Sequence, residues 1–585
     1  MNAEIFYVLV GALAVGAFAR WRGLPAPLVV TVAAALVSLI PAVPLIDIDG
    51  HLLLNLTLPP LLYSAALEVS FTGFARSLPH IRRLGVGLVL TTTVAVGLVA
   101  WWIMPELGLA GALLLGAIVG PPDAVSAAAI GRKLGLPRRL MTVMSGESLI
   151  NDATSLVLVR VFAAVVAGAA VTVWDGVWQF IVAVVVGVGI GLAFGLVLHK
   201  LRVHLDDPVV VGTAGLIVPF GAYAIAEHLG GSGVLAVVAM GLFVGFQSPK
   251  TSYTTRQQDR PIWLSVDFLL ESFVFAYIGL QLPHVLLELG RDKAGVTIAL
   301  SAGVLATVLL IRPLFVYASY AWGRMWQGMK IMRWKHSVEA FRQNPDHPGA
   351  RLIRKRRAAL ARRGIEVNER NLRQRAFEPT LSVQERAVLS WAGMRGVVTL
   401  AMAAALPDLT TEAMPHSHVQ KLIVVAFVVT VGTLLLQGLT LAPLIKRLGV
   451  GDDDERRQDD RQVEAIRARN LEVGKAYLRA NREEWVRRYG PEAIGRFDEL
   501  ALALVRVERG SENAAEVLDE QPEPPAGPTR DDVVALRRGW LDCRRATLIE
   551  ERDRGNLGEE VMRELMTALD AEELALDTRG AIARD

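Results

Sequence analysis

Residues 120–160 read GPPDAVSAAAIGRKLGLPRRLMTVMSGESLINDATSLVLVR, and three acids in this stretch, Asp123, Glu147 and Asp152, fall inside segments otherwise apolar enough to span a bilayer. A charged side chain at mid-bilayer costs at least about 2.5–3.5 kcal/mol, so such residues mark ion paths, proton relays or tight ion pairs. Two acids and an Asn-Asp pair on adjacent helices imply a place where a small cation sheds its water. The expected class is a transporter.

The rest of the chain fits that class. Its 585 residues are 52% apolar, with a mean hydropathy of +0.38. Apolar runs separated by short polar links fill 1–322 and 383–445, whereas 323–382 and 446–585 are strongly charged. A helix needs about 20 residues to cross the hydrocarbon. The pattern therefore predicts about thirteen spans: 4–19, 24–43, 51–69, 84–104, 107–130, 140–168, 174–199, 208–227, 231–247, 262–283, 294–319, 383–406 and 418–445. The expected fold is an all-α polytopic membrane protein. A membrane domain over 1–445, carrying a basic loop at 323–382, precedes a helical cytoplasmic tail over 446–585.

Charge supports the count. Links after odd-numbered spans hold Arg20 and Arg22, then Arg76, Arg82 and Arg83, then Arg132, Lys133, Arg138 and Arg139, then Lys200 and Arg202, then Lys250, Arg256 and Arg260. Links after even-numbered spans hold few cations, Arg291 and Lys293 being the main exception. By the positive-inside rule the N-terminus lies outside and the tail in the cytoplasm. The first span has only Glu4 as a charge before its apolar run, so a retained helix is expected rather than a secretory signal.

The chemistry concentrates in spans five, six and twelve. Asp152 lies about 13 residues beyond Arg139 and Asp123 lies 9 residues before Arg132, so at 1.5 Å rise per residue both reach similar depth. Glu147 and Asn151 are spaced i,i+4, as are Ser148 and Asp152, which puts an acid–amide stripe beside a hydroxyl–acid stripe on one helix surface. Hard cations take oxygen ligands, and Ser148, Asp123 and Asp152 supply them. Burial and a neighbouring like charge both favour the protonated form of a carboxyl. A proton and a cation would then compete for one acid, and that competition alone couples two fluxes.

For Glu147 the expected role is a structural ion pair, with Arg395 of span twelve as its partner. Gly120-Pro121-Pro122 interrupts span five just before Asp123, and Gly393 and Gly396 flank Arg395. Broken helices in corresponding places of two halves point to a transporter site, because freed carbonyls and half-helix ends coordinate ions. Glu271 and Arg312 also sit centrally in spans ten and eleven, and each is expected to have a structural pairing role. Glu68, Arg160 and Glu227 lie nearer span ends.

Between Arg324 and Arg375 there are 15 Lys/Arg against 4 Asp/Glu. This loop reads either as an orientation signal or as a clasp on anionic lipid. The tail from Gly451 reads as two helical stretches joined by the Pro-rich QPEPPAGPTRDD (521–532), with its partner unassigned. Cys543 is the single cysteine, so no disulfide framework exists. No nucleotide loop or Cys/His cluster is present, so no cofactor, no enzymatic activity and no nucleic-acid partner are expected, and the driving force is an ion gradient.

These residues resemble the monovalent cation:proton antiporter family, in the branch of the bacterial sodium/proton exchangers and the animal plasma-membrane exchangers. The resemblance covers about residues 5–445. GESLINDATSLVL (146–158) carries the family's Asn-Asp pair as Asn151-Asp152, and MRGVVTLAMAAALP (394–407) looks like its arginine-bearing unwound helix. GGSGVLAVVAMGLFVG (230–245) and ESFVFAYIGLQL (271–282) are further landmarks. The resemblance implies that Asp152 carries Na⁺ or H⁺ with Ser148 in support, and that Glu147 pairs with Arg395. It also implies two inverted repeats, a homodimer in the plasma membrane, and an elevator-like motion of spans 4–6 and 11–13 against 1–3 and 7–10. Asn before the binding Asp implies electroneutral exchange. Two departures stand out. Pro122-Asp123-Ala124 replaces Thr-Asp-Pro, and Tyr63-Ser64 replaces a Phe-Glu pair.

The function expected from all this is antiport of Na⁺ (or Li⁺) against H⁺. Antiport of K⁺ by the same mechanism is the alternative, and a cation channel or a non-transporting sensor are the readings from other classes.

Overall fold

A computed structural model of the chain describes residues 3–40, 50–123, 125–170, 172–205, 207–288, 294–344, 346–362, 381–410, 414–451, 453–508 and 528–582. Among these residues all regular structure is helical. In the first half the helices are α1 (Ala3–Trp21), α2 (Ala26–Val37), α3 (Gly50–Glu68), α4 (Phe71–Arg82), α5 (Val89–Ile103), α6 (Gly108–Val119), α7 (Val125–Lys133) and α8 (Arg138–Val166). They continue with α9 (Val173–His204), α10 (Pro208–His228), α11 (Gly233–Gln247), α12 (Tyr253–Glu288), α13 (Ala294–Gln343) and α14 (Arg351–Ala361). Then come α15 (Val383–Trp391), α16 (Val397–Ala404), α17 (Leu406–Thr410), α18 (His416–Leu448), α19 (Asp453–Tyr489), α20 (Ile494–Glu508), α21 (Arg530–Arg554) and α22 (Glu559–Ile582).

Local chemistry sets where these helices begin. Thr172 and Asp175 form a reciprocal capping box at the start of α9, and the Asp207 carboxylate accepts from Val209 and Val210 N–H to open α10 with Pro208 at its first position. The Ser232 hydroxyl caps α11. Each cap satisfies backbone donors that a helix start leaves orphaned. At 32 residues, α9 is about 48 Å long, enough to cross a bilayer.

Eight helices among the described residues are long and apolar enough to cross a membrane, and shorter apolar helices stand at Phe6–Trp21, Ala26–Val37 and Pro105–Val119. Helix lies at each expected span, although 41–43 of the second fall outside the described residues. α4 and α5 join through a π-helical turn at Arg83–Leu88 into one continuous stretch. Two expected spans, 107–130 and 383–406, are broken in the middle as α6/α7 and α15/α16.

The chain divides into two compact units, Met1–Arg333 with Phe377–Asp452, and Trp334–Ala376 with Asp453–Asp585. The domain division expected from sequence kept all of 323–382 with the membrane part, whereas the described residues 334–344 and 346–362 fall in the second unit. Within the first unit, the order continuous helix, broken helix, continuous helix occurs twice, over 71–166 and over 294–448. In the second unit, Leu478, Trp485, Phe497, Leu500, Leu536 and Trp540 form one apolar core. A second core gathers Ile466, Leu541, Leu548, Val561, Met562 and Met566.

Candidate functional site

The site grows out of the two breaks. Pro121 and Pro122 lack backbone donors, so α6 cannot continue past Val119. Ala392 to Gly396 likewise separate α15 from α16. The two unwound stretches are stitched to each other. Asp123 N–H donates to Met394 O at 2.6 Å. The Arg395 guanidinium donates to Val119 O at 2.9 Å, to Gly120 O at 3.3 Å and to Gly393 O. Arg395 N–H donates to Thr433 Oγ1 of α18 at 3.0 Å. Arg395 is 1% exposed, and its planar fork serves carbonyls that lost their helical partners when the chain unwound. Gly396 is needed here because a Cβ at that position would collide with the Asp123 carboxylate.

α8 packs beside this crossing and supplies the remaining groups. Asn151 Nδ2 donates to Pro122 O at 2.8 Å, so the amide holds the unwound stretch. Its Oδ1 is enclosed with no hydrogen-bond partner among the described residues. Asp152 is 4% exposed and lies within electrostatic reach of Asp123. One turn further, Ser155 Oγ donates to Ala117 O at 2.5 Å and touches Met402 Sδ at 3.7 Å. Ser148 is half-buried, one turn before Asp152. Asp123, Asn151 and Asp152 are thus brought together, as their spacing led us to expect.

The expected pairing of Glu147 with Arg395 is corrected. Glu147 is held by Arg312 of α13, whose Nη1 donates to Oε1 and whose Nη2 donates to Oε2 at 3.0 Å. Arg312 Nε donates to Leu389 O at 3.2 Å. The side chain reaches Glu147 past Gly393, where a Cβ would collide with it. The physical reason for the exchange of partners is that the freed carbonyls of both breaks already occupy Arg395. Those carbonyls have no letter in the sequence, so counting buried charges alone misassigns the pair.

Other acids find partners at the edges. Arg132 pairs with Glu68 at 3.4 Å, Arg160 pairs with Glu227, and buried Arg202 pairs with Asp259 at 2.8 Å. One group escaped the sequence reading. Ser64 Oγ of α3 donates to Asp267 Oδ2 of α12 at 2.5 Å, while Asp267 Oδ1 is enclosed without a partner among the described residues. Glu271 follows one turn later and lies within electrostatic reach of both Asp123 and Asp267. The i,i+4 spacing of Asp267 and Glu271 in an apolar run was the signal that could have found it.

Carboxylate, hydroxyl, amide and carbonyl oxygens around a broken-helix crossing suit a small hard cation. Comparison with known proteins agrees. The model of the family described as sodium/hydrogen exchanger, transmembrane, matches residues 6–447. The chain belongs to this family. An uncharacterized Na⁺/H⁺ exchanger of Mycobacterium tuberculosis is 29% identical over 98% of this chain and 96% of its own length. The Na⁺/H⁺ antiporter ApNhaP of Aphanothece halophytica is 28% identical over 71% of this chain and 68% of its own. In fold, the exchanger resembles the sodium proton antiporter MjNhaP1 of Methanocaldococcus jannaschii, with a TM-score of 0.53 at 16% identity, over 76% of this chain and 98% of that one. The exchanger is therefore a multi-pass membrane antiporter of a monovalent cation and protons, and not an enzyme.

Proposed function

We propose that the exchanger moves Na⁺ (or Li⁺) against H⁺, one for one, by alternating access, with the Asp152 carboxylate binding cation and proton in turn. The observation that carries this reading is the convergence of buried Asp152, Asp123 and the Asn151 amide on the crossing of two broken helices. A protonated Asp152 facing one solution releases its proton to water, and the vacated oxygens accept a cation with Asp123 and Ser148 as further ligands. After the site turns to the other solution, a proton displaces the cation. Because both substrates need the same oxygens, neither crosses with the other. Asn151 adds no second charge beside Asp152, which supports electroneutral exchange.

Glu147–Arg312 and Arg395 hold this site in shape. The doubled order of continuous and broken helices supports two inverted repeats, one moving against a dimer-forming remainder. The arrangement proposed for the cell is a homodimer in the plasma membrane, with the tail cytoplasmic and the basic loop against anionic lipid.

The test is proton flux in proteoliposomes, read with a pH-sensitive dye after addition of Na⁺, Li⁺ or K⁺. Recovery triggered by Na⁺ or Li⁺ in the wild type and abolished in Asp152→Asn supports the reading. Recovery with K⁺ alone would move it to a potassium exchanger. An unaffected Asp152→Asn would overturn it.

A further inference from the structure

Thr399 is 1% exposed, and its Oγ1 has no hydrogen-bond partner among the described residues. Thr92 and Thr93 of α5 are in the same state, but neither stands beside the broken-helix crossing. Thr57, Thr142, Thr154, Thr410 and Thr430 all donate back to the carbonyl four residues earlier, which is the default way to bury a hydroxyl there. Thr399 is the third residue of α16, so the residue four earlier is Arg395, in the unwound stretch. The hydroxyl is left to turn elsewhere, and an unpaired buried hydroxyl carries an appreciable desolvation cost.

Two contacts show where it turns. Ser155 of α8 touches Met402 of α16. Nearer the crossing, Asn151 of α8 holds Pro122, and the adjacent Asp123 lies against Gly396. Along both chains the numbers rise together, from Asn151 to Ser155 and from Gly396 to Met402, so α16 leaves the crossing in the same sense as α8 and meets it again at Ser155–Met402. Residues three apart share a helix face. Thr399 therefore shares the face of Met402, and Asp152 shares the face of Ser155, one turn closer to the crossing. The unpaired Thr399 hydroxyl and the unpaired Asn151 Oδ1 both fall at the level of Asp152.

We infer that Thr399 is an oxygen ligand of the transported cation, completing with Asp152, Asp123, Ser148 and Asn151 Oδ1 an all-oxygen site. The inference rests on the assignment of Asp152 as the transport carboxylate. It explains two unsatisfied buried oxygens at once, since a hard monovalent cation accepts lone pairs from a hydroxyl and an amide carbonyl. A proton bound to Asp152 needs neither. Thr399 therefore acts on the cation half of the exchange.

The test compares Thr399→Val, which keeps the shape and removes the oxygen, with Thr399→Ser, which keeps the oxygen. Sodium-dependent proton flux in proteoliposomes gives KM and maximal rate, and melting of the purified protein with and without NaCl gives cation binding separately. The expected result for Thr399→Val is an apparent KM for Na⁺ raised about tenfold, comparable with losing one buried hydrogen-bond partner. Its maximal rate is nearly preserved, and the NaCl-induced rise in melting temperature is lost. Thr399→Ser restores KM and stabilisation. A wild-type KM and NaCl stabilisation in Thr399→Val would overturn the inference, as would an equal defect in Thr399→Ser. If Thr399→Val does not fold, Thr399→Ala is read in the same way. Asp152→Asn measured alongside separates the two levels. Retained exchange in Asp152→Asn sinks the transport assignment itself, whereas a dead Asp152→Asn with a normal Thr399→Val sinks only the role of Thr399.

Discussion

Glu147 and Arg312 stand 165 residues apart in the chain and meet through two parallel hydrogen bonds, with both side chains 3% exposed or less. Truncating one partner of such a pair strands a buried charge and costs about 3–5 kcal/mol, whereas replacing both by apolar groups is close to neutral. Glu147→Gln and Arg312→Met are each expected to lower the melting temperature of the purified exchanger strongly, and Glu147→Leu with Arg312→Met to recover much of the loss. A double variant as unstable as the sum of the singles would argue against the pairing.

Arg395 does a different job. Its removal leaves the carbonyls of Val119, Gly120 and Gly393 without their donors, at about 1–3 kcal/mol for each buried group left unpaired. Arg395→Gln and Arg395→Lys are both expected to abolish exchange, since a lysine offers no planar fork to three carbonyls. In a double-mutant cycle on melting temperature, Glu147 should couple more strongly to Arg312 than to Arg395. The reverse order would restore the pairing first expected from sequence.

Gly396→Ala is expected to eliminate cation-coupled proton flux, because the added Cβ collides with the Asp123 carboxylate. Gly393→Ala should instead destabilise the protein through Arg312, which occupies the space beside that glycine. Flux measured at equal protein incorporation, together with melting temperature, separates these two failures.

Asp267 and Glu271 stand one turn apart on α12, with Glu271 within electrostatic reach of Asp123, and carboxyls so placed raise the local concentration of cations when they ionise. Asp267→Asn is expected to raise the apparent KM for Na⁺ about threefold, a value set by a modest loss of field, while leaving the maximal rate unchanged. Ser64→Ala removes the donor to Asp267 Oδ2 and should act in the same direction. A collapse of maximal rate in Asp267→Asn would place this acid in the transport step itself.

The tail carries its own electrostatics. The Arg482 guanidinium holds the Asp498 carboxyl below its ordinary 3.8 by hydrogen bonding, and the Thr529 hydroxyl does the same for Asp532. A carboxyl whose pKa is depressed by folding contributes stability above its unfolded value and loses that contribution as pH falls through the folded one. Both contributions are therefore fully present from about pH 5 upward. Asp498→Asn is expected to leave the pH profile of exchange between about pH 6 and 9 unchanged. A shifted profile would make the tail part of the pH response.

The legible part of this molecule was the part written in side chains and hydropathy. Apolar length located the helices, and Gly120-Pro121-Pro122 announced the break in α6/α7 because proline removes donors by its covalent structure. Asp123, Asn151 and Asp152 could be brought together from depth and i,i+4 spacing alone. The carbonyls of Val119, Gly120 and Gly393 were not legible, since every residue carries one and only the fold decides which are freed. That is why Arg395 was assigned to Glu147. Ser64–Asp267 was hidden differently, because a lone serine on α3 gives no hint of which later helix will pack against it.

The central claim is that one carboxylate serves both ions, and sodium–sodium exchange across proteoliposomes at equal pH on both sides tests it most directly. Radioactive Na⁺ uptake is measured from about pH 5 to 9. If proton and cation compete for Asp152, the apparent KM for Na⁺ rises about tenfold per unit fall in pH on the acidic limb, while the maximal rate stays constant. A KM that does not change with pH, accompanied by a falling maximal rate, would mean that the proton acts at a separate group and would contradict the account.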